Sequence, residues 1–260
     1  MISPLKIALE ALILIVALGM LRKFSLSSSR RFFLIFAAVA LVLNTIFYYV
    51  AAWPLYSSYG ETSGLGQGAL HSLIIFDIAK WCVLAFFLSR FSEAVAQKDL
   101  GGGFALLRPK ARIGSTIGIG VLSGLLATAA VYGFSFLEQH YGYLEEIPWR
   151  FFADNPVYQG LGFWGGIRNL AGEEIIVRLG AQSILLFLFR KTRGAPLFAI
   201  ILSALFFEIW HNGFRELYFM NFIGSCVLGW AYHIRGYESA AIGHCVADWL
   251  SLLILPKLLF

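Results

Sequence analysis

Glu173 and Glu174 stand side by side with Arg178 close behind, His211 follows four residues after Phe207, and His244 precedes Asp248 by four. Each of these three polar islands lies inside or at the edge of a stretch that otherwise reads as a membrane-spanning helix. A charge at the centre of a bilayer costs roughly +2.5 to +3.5 kcal/mol on the mildest scale. Groups that expensive, gathered in three successive islands, point to chemistry.

On a helix Glu174 and Arg178 share a face and can pair, while Glu173 points about 100° away and is left to face a cavity. One carboxylate is then held by an arginine and the other is available as a base. His211 closes an aromatic run (Phe206, Phe207, Trp210), with Glu208 three residues earlier as a candidate partner. His244 and Asp248 lie on one face, about 6 Å apart along the axis. Such a pair can bind a metal, orient an imidazole, or stabilise a small anion if the aspartate carries a proton. Read alone, each island also fits interfacial or hydrogen-bonded side chains. Read together, they supply what is needed to activate a water and stabilise an oxyanion. They also supply ligands for a divalent metal, with Glu173, His211 and His244 as the donor set. There is no HExxH and no serine-nucleophile elbow. Gly224-Ser225-Cys226 reads as small-residue helix packing.

The elements that must position these groups follow from composition. The chain has 260 residues, 59% of them hydrophobic and 13% charged, and its mean hydropathy is +0.75. A soluble domain of this size needs about twice that charged fraction. Long apolar runs without period-two alternation exclude a membrane β-barrel and predict an all-α, polytopic transmembrane helical bundle. About eight spans fit the length a bilayer requires: 5–21, 32–53, 69–91, 113–136, 163–189, 196–211, 217–234 and 239–257. The first is kept as a retained helix, since no small-x-small cleavage site follows it. One membrane domain covers 1–260, with four N-terminal helices in 1–136 and the polar islands in 160–255.

The net charge of +5 sits in short loops, where it sets topology and does not call for nucleic acid. Lys and Arg after spans one, three and five place both termini outside by the positive-inside rule. The loop 137–162 is acidic and aromatic (Tyr141, Tyr143, Trp149, Phe151, Phe152) and fits the membrane interface. Cys82, Cys226 and Cys245 read as small buried hydrophobes, not a disulfide. Glu10, Asn44 and the pair Asp77/Lys80 stand as isolated structural features, the last two neutralising each other at three residues' spacing. Gly236 and Gly243 allow close backbone approach ahead of and within the last span.

The order Glu-Glu-x-x-x-Arg (173–178), Phe-x-x-x-His (207–211) and His-x-x-x-Asp (244–248), with gaps of about 38 and 33 residues, resembles the three motifs of the CPBP family. These are the CAAX-protease and bacteriocin-processing intramembrane glutamic endopeptidases, the Rce1/Abi group. The resemblance covers residues 160–255. It implies an intramembrane protease in which Glu173, assisted by His211, activates water. Glu174 and Arg178 form a supporting pair, and His244 with Asp248 holds the oxyanion. The implied partners are the lipid bilayer and a membrane-associated protein or peptide substrate, in a multi-pass protein of the bacterial inner membrane. A divalent metal stays an open reading.

Two positions depart from the family pattern. Asp248 stands where Asn is common and can donate a hydrogen bond only when protonated, or else accept one from His244 and fix its tautomer. Leu179 follows the motif arginine where Gly is usual, with Gly180 next. The loop charges also set Glu173 and His211 towards the outer leaflet and His244 nearer the inner end of its span. A transporter lined by the same charges and a non-catalytic membrane scaffold are the alternative functions.

Overall fold

The computed structural model of the protein describes residues 4–22, 30–63, 66–108, 113–141, 155–212 and 219–259. Among these every regular element is helical and none is a strand. Continuous apolar runs impose that outcome, because within a bilayer a helix satisfies its backbone hydrogen bonds inside its own segment. The elements are α1 (Pro4–Leu21), α2 (Arg30–Ile46), α3 (Trp53–Ser63), α4 (Gln67–Ala96), α5 (Ile113–His140), α6 (Pro156–Arg168), α7 (Ser183–Leu188), α8 (Ala195–Asn212), α9 (Phe219–Arg235), α10 (Tyr237–Trp249) and α11 (Leu255–Leu259). Wider π-helical turns continue three of them: Phe47–Ala52 joins α2 to α3, Ile175–Gln182 enters α7, and Leu250–Ile254 joins α10 to α11.

Among the described residues six helices are long and apolar enough to cross a bilayer: Pro4–Leu21, Arg30–Ser58, Gln67–Ala96, Ile113–Leu137, Ala195–Asn212 and Tyr237–Lys257. The remaining two of the eight expected segments are also helical, but one is broken near its middle and the other, α9, has only 17 residues. Large apolar side chains such as Ile15 (67% exposed) and Phe136 (70%) face outward. In water such a surface invites association, whereas lipid tails cover it without penalty.

The fifth segment begins at Pro156, seven residues before the hydropathy limit of 163. Asn155 accepts a hydrogen bond from the Val157 amide at 3.0 Å and Pro156 takes the first helical position, a combination that starts helices regardless of hydropathy. Residues 142–154, with Tyr143, Trp149, Phe151 and Phe152, lie outside the described residues, so the interfacial reading of that loop reaches only Tyr141, which is exposed. All three cysteines are thiols without a disulfide.

The bundle is organised by close contacts. α5 lies along α9 and α10, α10 also packs on α6, and α4 packs on α1, α2 and the π turn Ile175–Gln182. Glycines on α5 permit the first of these approaches. A Cβ at Gly124 would stand 2.7 Å from the carbonyl oxygen of Gly243 and 2.7 Å from the Val246 Cβ. Small residues at such crossings let helices associate in lipid, where hydrophobic driving force is absent. Gly124→Ala is therefore expected to force α5 away from α10 and destabilise the protein by about 1–3 kcal/mol. Thermal unfolding in detergent checks this, and an unchanged midpoint would show that the interface is loose.

Candidate active site

The fifth segment is interrupted where the chemistry begins. After α6 the chain makes a 3₁₀ turn, Asn169–Ala171, and Gly172 adopts φ −130°, ψ −114° before a second helical stretch starts at Glu173. Irregular backbone at membrane depth is tolerated only where protein satisfies it or a cavity receives it. Here Asn44 Nδ2 donates to the Ala171 carbonyl at 3.1 Å, and the Tyr237 hydroxyl donates to the Leu170 carbonyl at 3.2 Å. Asn44 is thus an interhelical bond, the structural role expected of it. Glu173 and Glu174 sit in the first turn of the second stretch, where the positive end of a helix dipole favours carboxylates.

The two glutamates then diverge. Arg178 Nε donates to Glu174 Oε2 at 2.7 Å, with both side chains fully buried. The guanidinium is anchored further by the Ser225 carbonyl (3.0 Å) and hydroxyl (2.9 Å) of α9. The other oxygen of Glu174, Oε1, lies 2.9 Å from His244 Nδ1 on α10. Since an ionised carboxylate can only accept, Nδ1 carries the proton in this contact and Nε2 is turned outward. A relay runs from Ser225 through Arg178 and Glu174 to His244, tying α9 and α10 to the broken helix. The one-residue displacement of the glycine after Arg178 coincides with the π turn, the form in which helices absorb an extra residue. A Cβ at Gly180 would meet Ile13 at 2.6 Å, so this glycine is where α1 approaches.

Glu173 faces instead a cavity of about 310 Å³, lined also by Arg168, Asn169, His211, His244 and Asp248 and walled by Phe47, Leu161, Phe207 and Leu252. Its Oε2 lies 3.4 Å from His211 Nε2 and its Oε1 lies 3.9 Å from Arg168 Nη1. The Glu173 side chain is 16% exposed and that of His211 is 30%, so both reach the opening of the cavity. Phe207, one turn before His211, packs against both imidazoles, with ring centroids 4.4 Å from His211 and 6.2 Å from His244. Glu208 turns elsewhere in the bundle and accepts from Asn212 at 2.5 Å.

The depth assignment drawn from loop charge is corrected by this arrangement. His211 and His244 meet at a single cavity although their spans were set at opposite leaflets. Loop charge reports which side a segment exits, not how far along a short, tilted or broken helix a residue sits. With α9 rising only about 25 Å, the ends of α8 and the middle of α10 come to one level.

Arg168 and Asn169, on the broken helix, and Asn221 on α9 also line the cavity and were not among the sequence candidates. Arg168 Nε donates to Asn44 Oδ1 at 2.9 Å, and its guanidinium lies 4.8 Å from the Phe47 ring and 5.2 Å from the Trp81 ring. It is a cation held in place by aromatic faces. Asn169 Nδ2 donates to Asp248 Oδ2 at 2.7 Å, while Asp248 Oδ1 lies 3.7 Å from His244 Nε2. The signal for Arg168 and Asn169 was present: an Arg-Asn pair inside an apolar run, costly for the same reason as the islands. Ser225 is likewise more than a small packing residue.

Glu10, Asp77 and Lys80 are not isolated. Lys80 Nζ lies 2.8 Å from Glu10 and 2.6 Å from Asp77, and Asp77 accepts from Trp81 (3.1 Å) and from the Tyr48 hydroxyl. The i,i+3 pair expected from spacing is present, but Glu10 completes it from α1. The Glu10 carboxylate also accepts from Trp210 Nε1 at 3.2 Å, next to His211. A buried network thereby ties α1 and α4 to the end of α8.

The divalent-metal reading of Glu173, His211 and His244 meets a poor donor set. Among the described residues no three His, Cys, Asp or Glu side chains are grouped as ligands.

Comparison with known proteins agrees with the family resemblance. The family model described as Type II CAAX prenyl endopeptidase Rce1-like matches residues 140–250, which include the broken helix and all three polar islands. Neither the curated proteins nor the solved structures give a match.

Proposed function

Residues 140–250 belong to the Rce1-like family of CAAX-type endopeptidases, and from that premise we propose that this integral membrane protein cleaves a membrane-associated protein or peptide in its cavity by glutamate-activated water. One observation carries the reading: Glu173 and His211, 3.4 Å apart, share a cavity with His244, whose orientation is fixed from behind by Glu174. A water beside the first pair can lose its proton to Glu173 as it attacks a carbonyl carbon. His211 orients that water from the other side. The carbonyl oxygen takes up the electron pair of the C=O bond and is received by the Nε2–H of His244, which as an imidazolium keeps its other proton on Nδ1 against Glu174. Collapse of the tetrahedral intermediate breaks the C–N bond, and the leaving amine recovers the proton held by Glu173. Arg168, kept near Glu173 by its aromatic seat and Asn44, offsets negative charge at the base.

The substrate class follows from the family: a prenylated CAAX-type tail or another peptide held at the membrane. The site accepts it from a bilayer-embedded bundle, so the lipid anchor and the scissile segment can arrive together. The test uses the full chain reconstituted in phospholipid vesicles with a farnesylated CAAX-type peptide, and reads new termini by mass spectrometry. Cleavage at one bond by the wild type, absent from the same vesicles carrying His211→Ala, is the expected result. Equal cleavage by the two proteins would overturn the assignment of His211 and with it the water-activating pair.

A further inference from the structure

The carboxylate of Asp248 is occupied from two sides. Its Oδ2 accepts from Asn169 Nδ2 at 2.7 Å, and its Oδ1 lies 3.7 Å from His244 Nε2. Asn169 is 5% exposed, and with Asp248, His244 and Glu173 it borders the same cavity. An ionised carboxylate can only accept hydrogen bonds, so Asp248 has nothing to offer a developing oxyanion and would repel it. A carboxamide nitrogen, by contrast, donates twice. One N–H of Asn169 is spent on Asp248, which leaves the other to be offered in the cavity that this residue borders.

We propose that Asn169 is the second oxyanion donor of this site, giving its other N–H to the carbonyl oxygen beside His244, and that Asp248 is a positioning residue that aims the amide and the imidazole at one point. The proposal rests on the hydrolytic reading above and adds a catalytic residue to it. During attack by water on the carbonyl carbon, the C=O electron pair moves onto oxygen and the water proton moves to Glu173. The new negative charge forms where Asn169 and His244 donate. When the intermediate collapses, the charge returns to the C=O bond, the C–N bond breaks, and the proton passes to the amine, so neither Asn169 nor Asp248 changes composition. The turn Asn169–Ala171 fits this task. A donor on the break in the helix, four residues before the base, is fixed relative to Glu173 by a short stretch of backbone whose carbonyls are bonded by Asn44 and Tyr237.

The experiment is a swap within the pair, in the full chain reconstituted in phospholipid vesicles with the farnesylated CAAX-type peptide. Asn169→Ala is expected to lower kcat by about 10²-fold or more, the usual loss for one oxyanion donor. KM should stay within about twofold, because the bond forms in the transition state and not with the ground-state carbonyl. Asn169→Asp sets two carboxylates against each other and should lose as much. Adding Asp248→Asn returns one amide and one acid to the pair, and N169D/D248N is expected to recover kcat by about tenfold or more over N169D, a coupling that independent sites would not show. Thermal midpoints of all variants are measured alongside, since a purely structural contact would lower stability and leave kcat per folded molecule unchanged. Wild-type kcat in Asn169→Ala, or no recovery in the double variant, would overturn the proposal while the hydrolytic reading stands. Absence of any Glu173-dependent cleavage by the wild type would overturn both.

Discussion

Glu173→Gln is expected to lower kcat for the vesicle-bound peptide by about 10³-fold, within the range that a positioned general base contributes, and to leave thermal stability unchanged. The two halves of that expectation have separate grounds. Gln preserves the volume and the hydrogen-bonding reach of Glu173 but cannot take a proton from water. The fold depends little on the carboxylate, because its nearest charged neighbours, His211 at 3.4 Å and Arg168 at 3.9 Å, are both longer than a normal hydrogen bond. The adjacent residue provides the control. Glu174→Gln disturbs contacts of 2.7 and 2.9 Å in a fully buried position, so it should depress both activity and the unfolding midpoint. Two neighbouring acids would then give different stability signatures for the same substitution. Activity within a few-fold of wild type in Glu173→Gln would show that another group takes the proton, and comparison of new protein termini in membranes bearing the two forms extends the test to natural substrates.

The different placement of these two acids, one paired with Arg178 and one facing the cavity, is legible in the sequence because it follows from helical spacing alone. Residues four apart share a face and residues one apart do not, and that holds whether the turn is α or slightly widened. The polar islands stand out for a related reason: in an apolar run a charge is an energetic anomaly that needs no alignment to be seen. The limits of the reading have physical causes as well. The break at Asn169–Gly172 contains no proline and has long apolar stretches on both sides, so a span drawn from 163 to 189 passes straight through it. Arg168 and Asn169 were hidden inside that span. The network of Glu10 with Asp77 and Lys80 joins residues about 70 positions apart, and periodicity within α4 finds only the local pair. Asp248 is the sharpest case. In the sequence it is an acid where an amide would serve better. In the fold the amide is present but arrives from the other side of the cavity, on a turn that no local pattern connects to α10.

Arg178→Leu is the substitution expected to damage the fold most. It leaves Glu174 as a carboxylate with no exposed surface and only the His244 imidazole as partner, and loss of one partner of a buried ion pair costs about 3–5 kcal/mol. It also removes the donors that the Ser225 carbonyl and hydroxyl receive. A destabilisation of that size is a large share of what a domain has, so little folded protein should be recovered from membranes. The informative variant is the neutral pair E174Q/R178M. With both charges gone there is no buried ion to compensate, and exchanging a buried pair for neutral groups of similar size is often close to neutral for stability. The double variant is therefore expected to accumulate and unfold near the wild-type midpoint while its kcat falls by about 10²-fold or more, because an amide at 174 no longer stabilises the imidazolium of His244 whose Nε2–H faces the oxyanion. Recovered folding with lost turnover would separate the two functions of the relay. Holding the broken helix against α9 requires only that no charge be stranded, whereas aiming His244 requires a carboxylate. Full activity in the double variant would show that His244 is oriented by something other than Glu174, leaving Asp248 and Phe207 as the contacts that must do it.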